Sequence, residues 1–144
     1  MKMKKERIFC LGLTAFLLFV LSATSYAQCI IITNNSVRES SISEEDVSRI
    51  FLGKKKKWTD GSKIDPVVIK DGDLHEEFLK AFVHKTLASF SSYWKRQIVS
   101  GTGFPPKSFS SEPEIVKYVL ENPGTIGYIS ATTAHEGVKV LTIR

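Results

Sequence analysis

The chain has 144 residues, a formal net charge of +5 and only two cysteines. That length allows one domain at most, and two cysteines exclude a disulfide framework. Four of the basic residues, Lys2, Lys4, Lys5 and Arg7, stand at the very start, ahead of an apolar run from Ile8 to Leu21 and the small-residue stretch ending Ser25-Tyr26-Ala27. A basic start, an apolar centre and small residues at the −3 and −1 positions are the parts of a secretory signal peptide. The run is short of the roughly 20 residues of a membrane span. Cleavage after Ala27 is therefore expected, leaving residues 28–144 as one α/β domain. Without the leader's basic residues and Glu6 the formal charge is +2, so charge offers no case for a nucleic-acid partner. Cys10 is lost with the leader, and Cys29 is then alone. The residues before Cys29 do not fit a lipid-attachment signal, which has an aliphatic residue at −3 and a small one at −1. Free export into the periplasm follows.

Cys29-Ile-Ile-Ile-Thr33 is a short β-favouring run closed by Asn34-Asn35-Ser36. A polar loop leads to Ser43-Glu-Glu-Asp46, a hydroxyl cap with acids in the first helical turn. Val47, Ile50 and Phe51 give that helix its buried stripe, and Gly53 supplies the left-handed residue that ends it. Lys54 to Lys57 is four like charges with no apolar position, the pattern of a solvated loop, with an anion or membrane-surface role as the alternative. Trp58 reads as the anchor that holds this loop to the body.

Asp60-Gly61 turns the chain into a strand over Ile64 to Ile69, with Pro66 near its start, where a missing donor matters least. After the turn Lys70-Asp-Gly-Asp73, the spacing of Leu74, Phe78, Leu79, Phe82 and Val83 predicts one helix from Leu74 to about Ala88. Ser89 to Ser92 interrupts it, and Tyr93 to Val99 reads as a second, short helix. Ser100-Gly-Thr-Gly-Phe-Pro-Pro106 is a loop. Ser110-Ser-Glu-Pro-Glu114 opens a further helix with Ile115, Val116, Val119 and Leu120 on its stripe, ended by Pro123-Gly124. Thr125 to Ser130 is a strand, Thr132 to Gly137 a polar loop, and Val138 to Ile143 a last strand alternating Val138, Val140 and Thr142.

Catalysis finds little support in these residues. His75 lacks a second histidine four residues on, and His84, nine away, falls about 180° round a helix from it. His135 stands in a polar loop. No serine occupies a Gly-x-Ser-x-Gly elbow, and Cys29 has no placed base. Neither a metal nor a cofactor is expected, and the chain reads as a non-enzyme.

Five pieces in order, Ile50-Phe-Leu-Gly53, Trp58-Thr-Asp-Gly61, the strand before Lys70, Trp94-Lys95 and Pro123-Gly-Thr-Ile-Gly-Tyr128, resemble the phosphate-binding proteins of bacterial ABC transporters. The resemblance runs from about Ser41 to Ile143. It implies a type II periplasmic-binding-protein-like fold, a central mixed sheet flanked by helices, with room for only one of the two lobes that trap an oxyanion between them. It also implies a phosphate or similar small oxyanion as ligand, and a membrane permease or another envelope protein as partner. In the family, the strand matching Val67 to Ile69 runs into a serine, a glycine and a threonine at a helix N-terminus. Backbone N–H groups and hydroxyls there cradle a tetrahedral anion. Here the turn reads Lys70-Asp71-Gly72-Asp73. Both hydroxyls are missing, Asp73 sets a negative charge in the cradle, and Lys70 stands for an arginine as a point charge.

A second candidate for an anion is Ser100, Gly101 and Thr102 with Lys107 nearby, where glycines free the backbone N–H groups and hydroxyls stand beside them. The same residues read first as a glycine-rich connector shaped by Pro105-Pro106, with the anion site as the runner-up. Two functions thus stay open: an oxyanion-binding component of uptake, and an envelope interaction module that has kept the fold without the ligand.

Overall fold

A computed structural model describes residues 28–144, so the expected leader and its Cys10 lie outside the described residues. The chain is built around one six-stranded mixed sheet in the order β2-β6-β1-β5-β3-β4. The strands are β1 Cys29–Thr33, β2 Ser41–Ile42, β3 Asp65–Ile69, β4 Lys107–Phe109, β5 Thr125–Ser130 and β6 Lys139–Ile143. β1 runs antiparallel to both β5 and β6, whereas β3 lies parallel to β4 and β5.

The strands are apolar on both faces because both faces are covered. Alternate side chains point to opposite sides, and the two sides gather two cores. Ile31, Val68, Ile126, Tyr128 and Leu141 face three helical segments on one side. Ile32, Val67 and Ile129 meet Ile115, Val116 and Val119 on the other. The first side carries α1 Glu44–Phe51 and α3 Leu87–Val99, with α2 Asp73–Phe78 and a π-helical continuation Leu79–Val83 between them; the second side carries α4 Glu112–Glu121. This is the expected mixed sheet flanked by helices. No helix among the described residues is long and apolar enough to cross a membrane.

The local signals around α1 and α4 act as read. The Ser43 hydroxyl accepts the Asp46 N–H at 3.1 Å, and Val47, Ile50 and Phe51 are buried. At α4 the cap is Ser111 rather than Ser110, in a reciprocal box with Glu114 and with Pro113 in the first turn. Leu120 is left 45% exposed, off the stripe that Ile115, Val116 and Val119 form.

The stretch expected as one helix to Ala88 divides earlier. His84 takes the left-handed conformation at φ 57°, and the Lys85 N–H closes onto the Leu79 carbonyl at 3.2 Å. Thr86 then caps α3 through a reciprocal bond with Ser89. A hydroxyl three residues after a hydroxyl cap starts a helix, so Ser89 to Ser92 form its first turns instead of a break. The short strands β2 and β4 carry no sequence signal of their own, because two and three residues are too few to show a period. The last strand also buries the opposite set from the one its valines mark: Leu141 is buried, while Val140 is 42% exposed.

Candidate functional site

The two helix-to-strand joints carrying the family resemblance are bonded to each other. The Trp58 indole N–H donates to the Gly124 carbonyl at 3.0 Å. The same carbonyl accepts the Asp65 N–H at 3.1 Å, and the Gly124 N–H donates to the Ser36 hydroxyl at 3.0 Å. Trp58 is buried, and its indole reaches across to fix the starts of β3 and β5 side by side. Gly124 sits at φ 76°, where a Cβ would lie 2.3 Å from the Lys63 carbonyl oxygen. Beside this joint, Lys54, Lys56 and Lys57 are exposed, while Lys55 meets Asp46 at 2.8 Å.

At the carboxyl end of β3 the chain makes the Lys70–Asp73 turn. The Lys70 N–H donates to the Phe109 carbonyl at 2.8 Å and closes the β3–β4 ladder. Lys70, Asp71, Gly72 and Asp73 are all exposed. Gly72 precedes α2 at φ 103° and ψ 173°, a conformation only glycine holds comfortably, and no side chain caps the helix. The Gly72 carbonyl accepts the N–H groups of His75 and Glu76. The N–H groups of Asp71, Gly72, Asp73 and Leu74 find no acceptor among the described residues. They belong to four successive residues at the amino end of α2, the positive end of that helix.

A buried pair supports the turn from below. The Tyr128 hydroxyl is bonded to His75 Nδ1 and accepts the Ile69 N–H at 3.3 Å. A hydroxyl that accepts this amide still has its own proton to donate, and a neutral His75 with Nδ1 unprotonated is the tautomer that accepts it. Burial holds the His75 pKa below its ordinary value, against a smaller pull upward from Asp71. Burial likewise pushes the Tyr128 phenol up. The Tyr128 ring stacks on Phe78 at 3.7 Å between centroids. The turn is thus tied to β5, 53 residues along the chain, through a contact that no local pattern announces.

Ser100, Gly101 and Thr102 lie elsewhere, at the carboxyl end of α3. Their N–H groups donate to Arg96, Ile98 and Gln97 carbonyls at 3.0, 3.1 and 3.0 Å. The Ser100 hydroxyl donates to the Arg96 carbonyl at 2.8 Å, and the Thr102 hydroxyl meets the Gln97 side chain. These donors are turned onto the helix's own last carbonyls, at the end that bears the negative side of the helix dipole. Lys107 opens β4 opposite Val67, and its ammonium lies 4.7 Å from the centre of the Tyr118 ring. Parallel pairing puts it about 10 Å of strand from Lys70. Lys107 thus stands beside the middle of β3, Thr102 lines a cavity with Ile64 and Asp65 at its amino end, and Lys70 follows its carboxyl end. No group of three or more His, Cys, Asp or Glu poised to hold a metal ion occurs among the described residues.

No protein-family model matches the chain, and no curated protein is similar to it in sequence. Solved structures are similar in fold. A putative phosphate ABC transporter substrate-binding protein with bound phosphate from Clostridium perfringens superposes with a TM-score of 0.63 at 18% identity, over 80% of this chain and 44% of that one. PstS from Borrelia burgdorferi gives a TM-score of 0.62 at 18% identity, over 81% and 47%. An ABC-type phosphate transport receptor from Vibrio cholerae gives 0.56 at 15%, over 80% and 45%. This chain has the fold of the phosphate-transporter substrate-binding proteins. It spans a little under half the length of those it matches.

Proposed function

We propose that this domain binds a small oxyanion, phosphate foremost, at the Lys70–Asp73 turn, as the exported binding component of an ABC-type uptake system. The observation that carries the reading is the uncapped start of α2, where four successive N–H groups from Asp71 to Leu74 stand without acceptors beside Lys70. Such a turn offers a tetrahedral anion several donors and one cation in the fold of a protein crystallised with phosphate. Binding is non-covalent and asks for no catalytic group. The chain spans a little under half the length of those proteins; in this reading a second copy or another envelope protein supplies a second wall, and a membrane permease takes delivery.

The two aspartates set the affinity and its pH dependence. Two unit charges about 4 Å apart interact by about 4 kcal/mol at the screening found near a protein surface, so Asp71 and Asp73 oppose a doubly charged phosphate. A singly charged phosphate keeps protons that a carboxylate can accept. Binding should therefore be modest, and should weaken as pH rises and the ligand loses its second proton. The same aspartates favour a second reading, in which the turn serves as an acidic patch for a protein partner and holds no anion.

Calorimetric titration of the purified protein with phosphate and sulfate separates the two. A ligand at a hundred times its dissociation constant should stabilise by about 2.7 kcal/mol, several degrees in melting temperature. Asp73→Ser, which restores a neutral cap and a hydroxyl, should tighten phosphate binding by about tenfold. No heat and no thermal shift at millimolar anion, in both proteins, would leave only the protein-partner reading.

A further inference from the structure

At the amino end of β3, away from the Lys70–Asp73 turn, the loop after α1, the start of β3, the last turns of α3 and the Gly103–Lys107 loop enclose a cavity of about 510 Å³. Its floor is apolar, formed by Ile64, Pro66, Tyr93 and Trp94. Close packing fixes this floor. A Cβ on Gly53 would lie 2.8 Å from the far carbon of the Trp94 ring, and one on Gly103 would lie 3.4 Å from the same ring. The Tyr93 hydroxyl donates to the Leu52 carbonyl at 2.7 Å, tying α3 to the loop after α1.

The rim is basic. Lys54, Lys55, Lys56, Lys63 and Lys107, from three separate segments, line the cavity, and Asp65 is its single acid. The Asp65 carboxylate is already engaged by the Tyr118 hydroxyl at 2.7 Å. Lys55 pairs with Asp46, and the other four lysines form no ion pair among the described residues. Residues 28–144 carry a formal charge of only +2, so this clustering is a local feature against a nearly balanced background. A lysine run alone needs no explanation beyond solvation. Lys63, brought onto the same cavity from a separate segment, adds to the local positive potential, which favours an anion; the Lys107 ammonium is turned onto the Tyr118 ring. Phe104, 88% exposed, stands on the lip.

We propose that this cavity binds a small organic anion, with an aromatic or aliphatic body seated against Trp94 and Phe104 and a carboxylate, sulfonate or phosphate group held by the lysine rim. The volume lies within the range of small-molecule sites, which combine an apolar lining with a few polar groups. An inorganic anion alone would leave the apolar floor uncovered. The site is separate from the Lys70–Asp73 turn and stands whether or not that turn binds phosphate.

Anilinonaphthalene sulfonate, a fluorescent aromatic sulfonate, is a suitable probe for the purified protein. Saturable binding at one site is expected, weakened by salt and not displaced by equimolar inorganic phosphate. Lys54, Lys56, Lys63 and Phe104 are exposed, so substitutions there leave folding intact. The triple change of Lys54, Lys56 and Lys63 to Gln should weaken binding about tenfold, from several exposed charges acting together. Phe104→Ala should weaken it several-fold while leaving the response to phosphate unchanged. Equal binding of the probe by wild type and the triple variant would overturn the proposal. So would binding to phosphatidylglycerol vesicles without saturable binding of the soluble probe, which would assign the surface to a membrane.

Discussion

Replacing Gly124 by alanine tests whether the two helix-to-strand joints are locked together as the bonds to Trp58 and Asp65 indicate. Two effects add at this position. At φ 76° an alanine occupies the left-handed region, which costs about 1–2 kcal/mol. Its Cβ would also stand 2.3 Å from the Lys63 carbonyl oxygen, a backbone atom that cannot swing aside. Relieving that clash by shifting the entry of β3 should cost about 1–3 kcal/mol more, the range for overpacking a filled site. The whole is about 2–5 kcal/mol, a large part of the stability of a domain this size. Gly61 provides the control, because it sits at φ 85° with nothing within 4 Å of the added carbon. Gly61→Ala should lose only the first amount. Urea unfolding followed by circular dichroism gives both values, with an unchanged slope showing that stability alone has moved. If both variants lose the same stability, the close approach of Gly124 to Lys63 is absent and the two joints are not bonded as described.

The buried His75–Tyr128 pair gives a pH signature. Burial lowers the folded pKa of His75, so below its ordinary value of about 6.5 the unfolded chain takes up a proton that the folded chain refuses. Stability should fall as pH drops through about 6.5 and should be flat, for this group, above it. His75→Gln keeps an acceptor for Tyr128 and should flatten the difference between pH 7 and pH 5; matching profiles for the two proteins would refute the assignment. Cys29 is the second titratable reporter, since burial, with Glu77 and Glu112 adding, pushes its thiol up to about 12. Alkylation at pH 8 should be slower in the folded protein than in urea by on the order of a thousandfold, because only thiolate reacts. Equal rates would show that Cys29 is not shielded at the start of β1.

Much of this fold can be read locally, where one short segment carries its own instructions. Ser43 with its acids, Gly53, and the run Cys29 to Thr33 each declare an element within a few residues. The Thr86–Ser89 capping box was equally local, yet it was hidden by the apolar period running through Phe78, Phe82 and Val83, which continues smoothly into it. β2 and β4 exist only through their neighbours β6 and β3 and have no period of their own. The candidate turn was visible as a strand, a glycine and a helix start, and Gly72 at φ 103° shows why glycine is needed there. What lies beneath it was not visible, because the His75–Tyr128 bond joins residues 53 positions apart. Ser100 to Thr102 looked like free donors for the opposite reason: composition alone does not say that the chain turns them onto the carbonyls of α3. Nor do the lysines after Gly53 disclose that Lys63 and Lys107 will join them around one cavity.

Amide chemical-shift mapping of the isotopically labelled protein during a phosphate titration tests the central proposal most directly. The N–H groups of Asp71, Gly72, Asp73 and Leu74, which lack acceptors within the described residues, should shift the most and saturate together, and more strongly in Asp73→Ser. Amides that stay fixed there at millimolar phosphate, or that move instead around Lys54 and Lys107, would contradict binding at this turn.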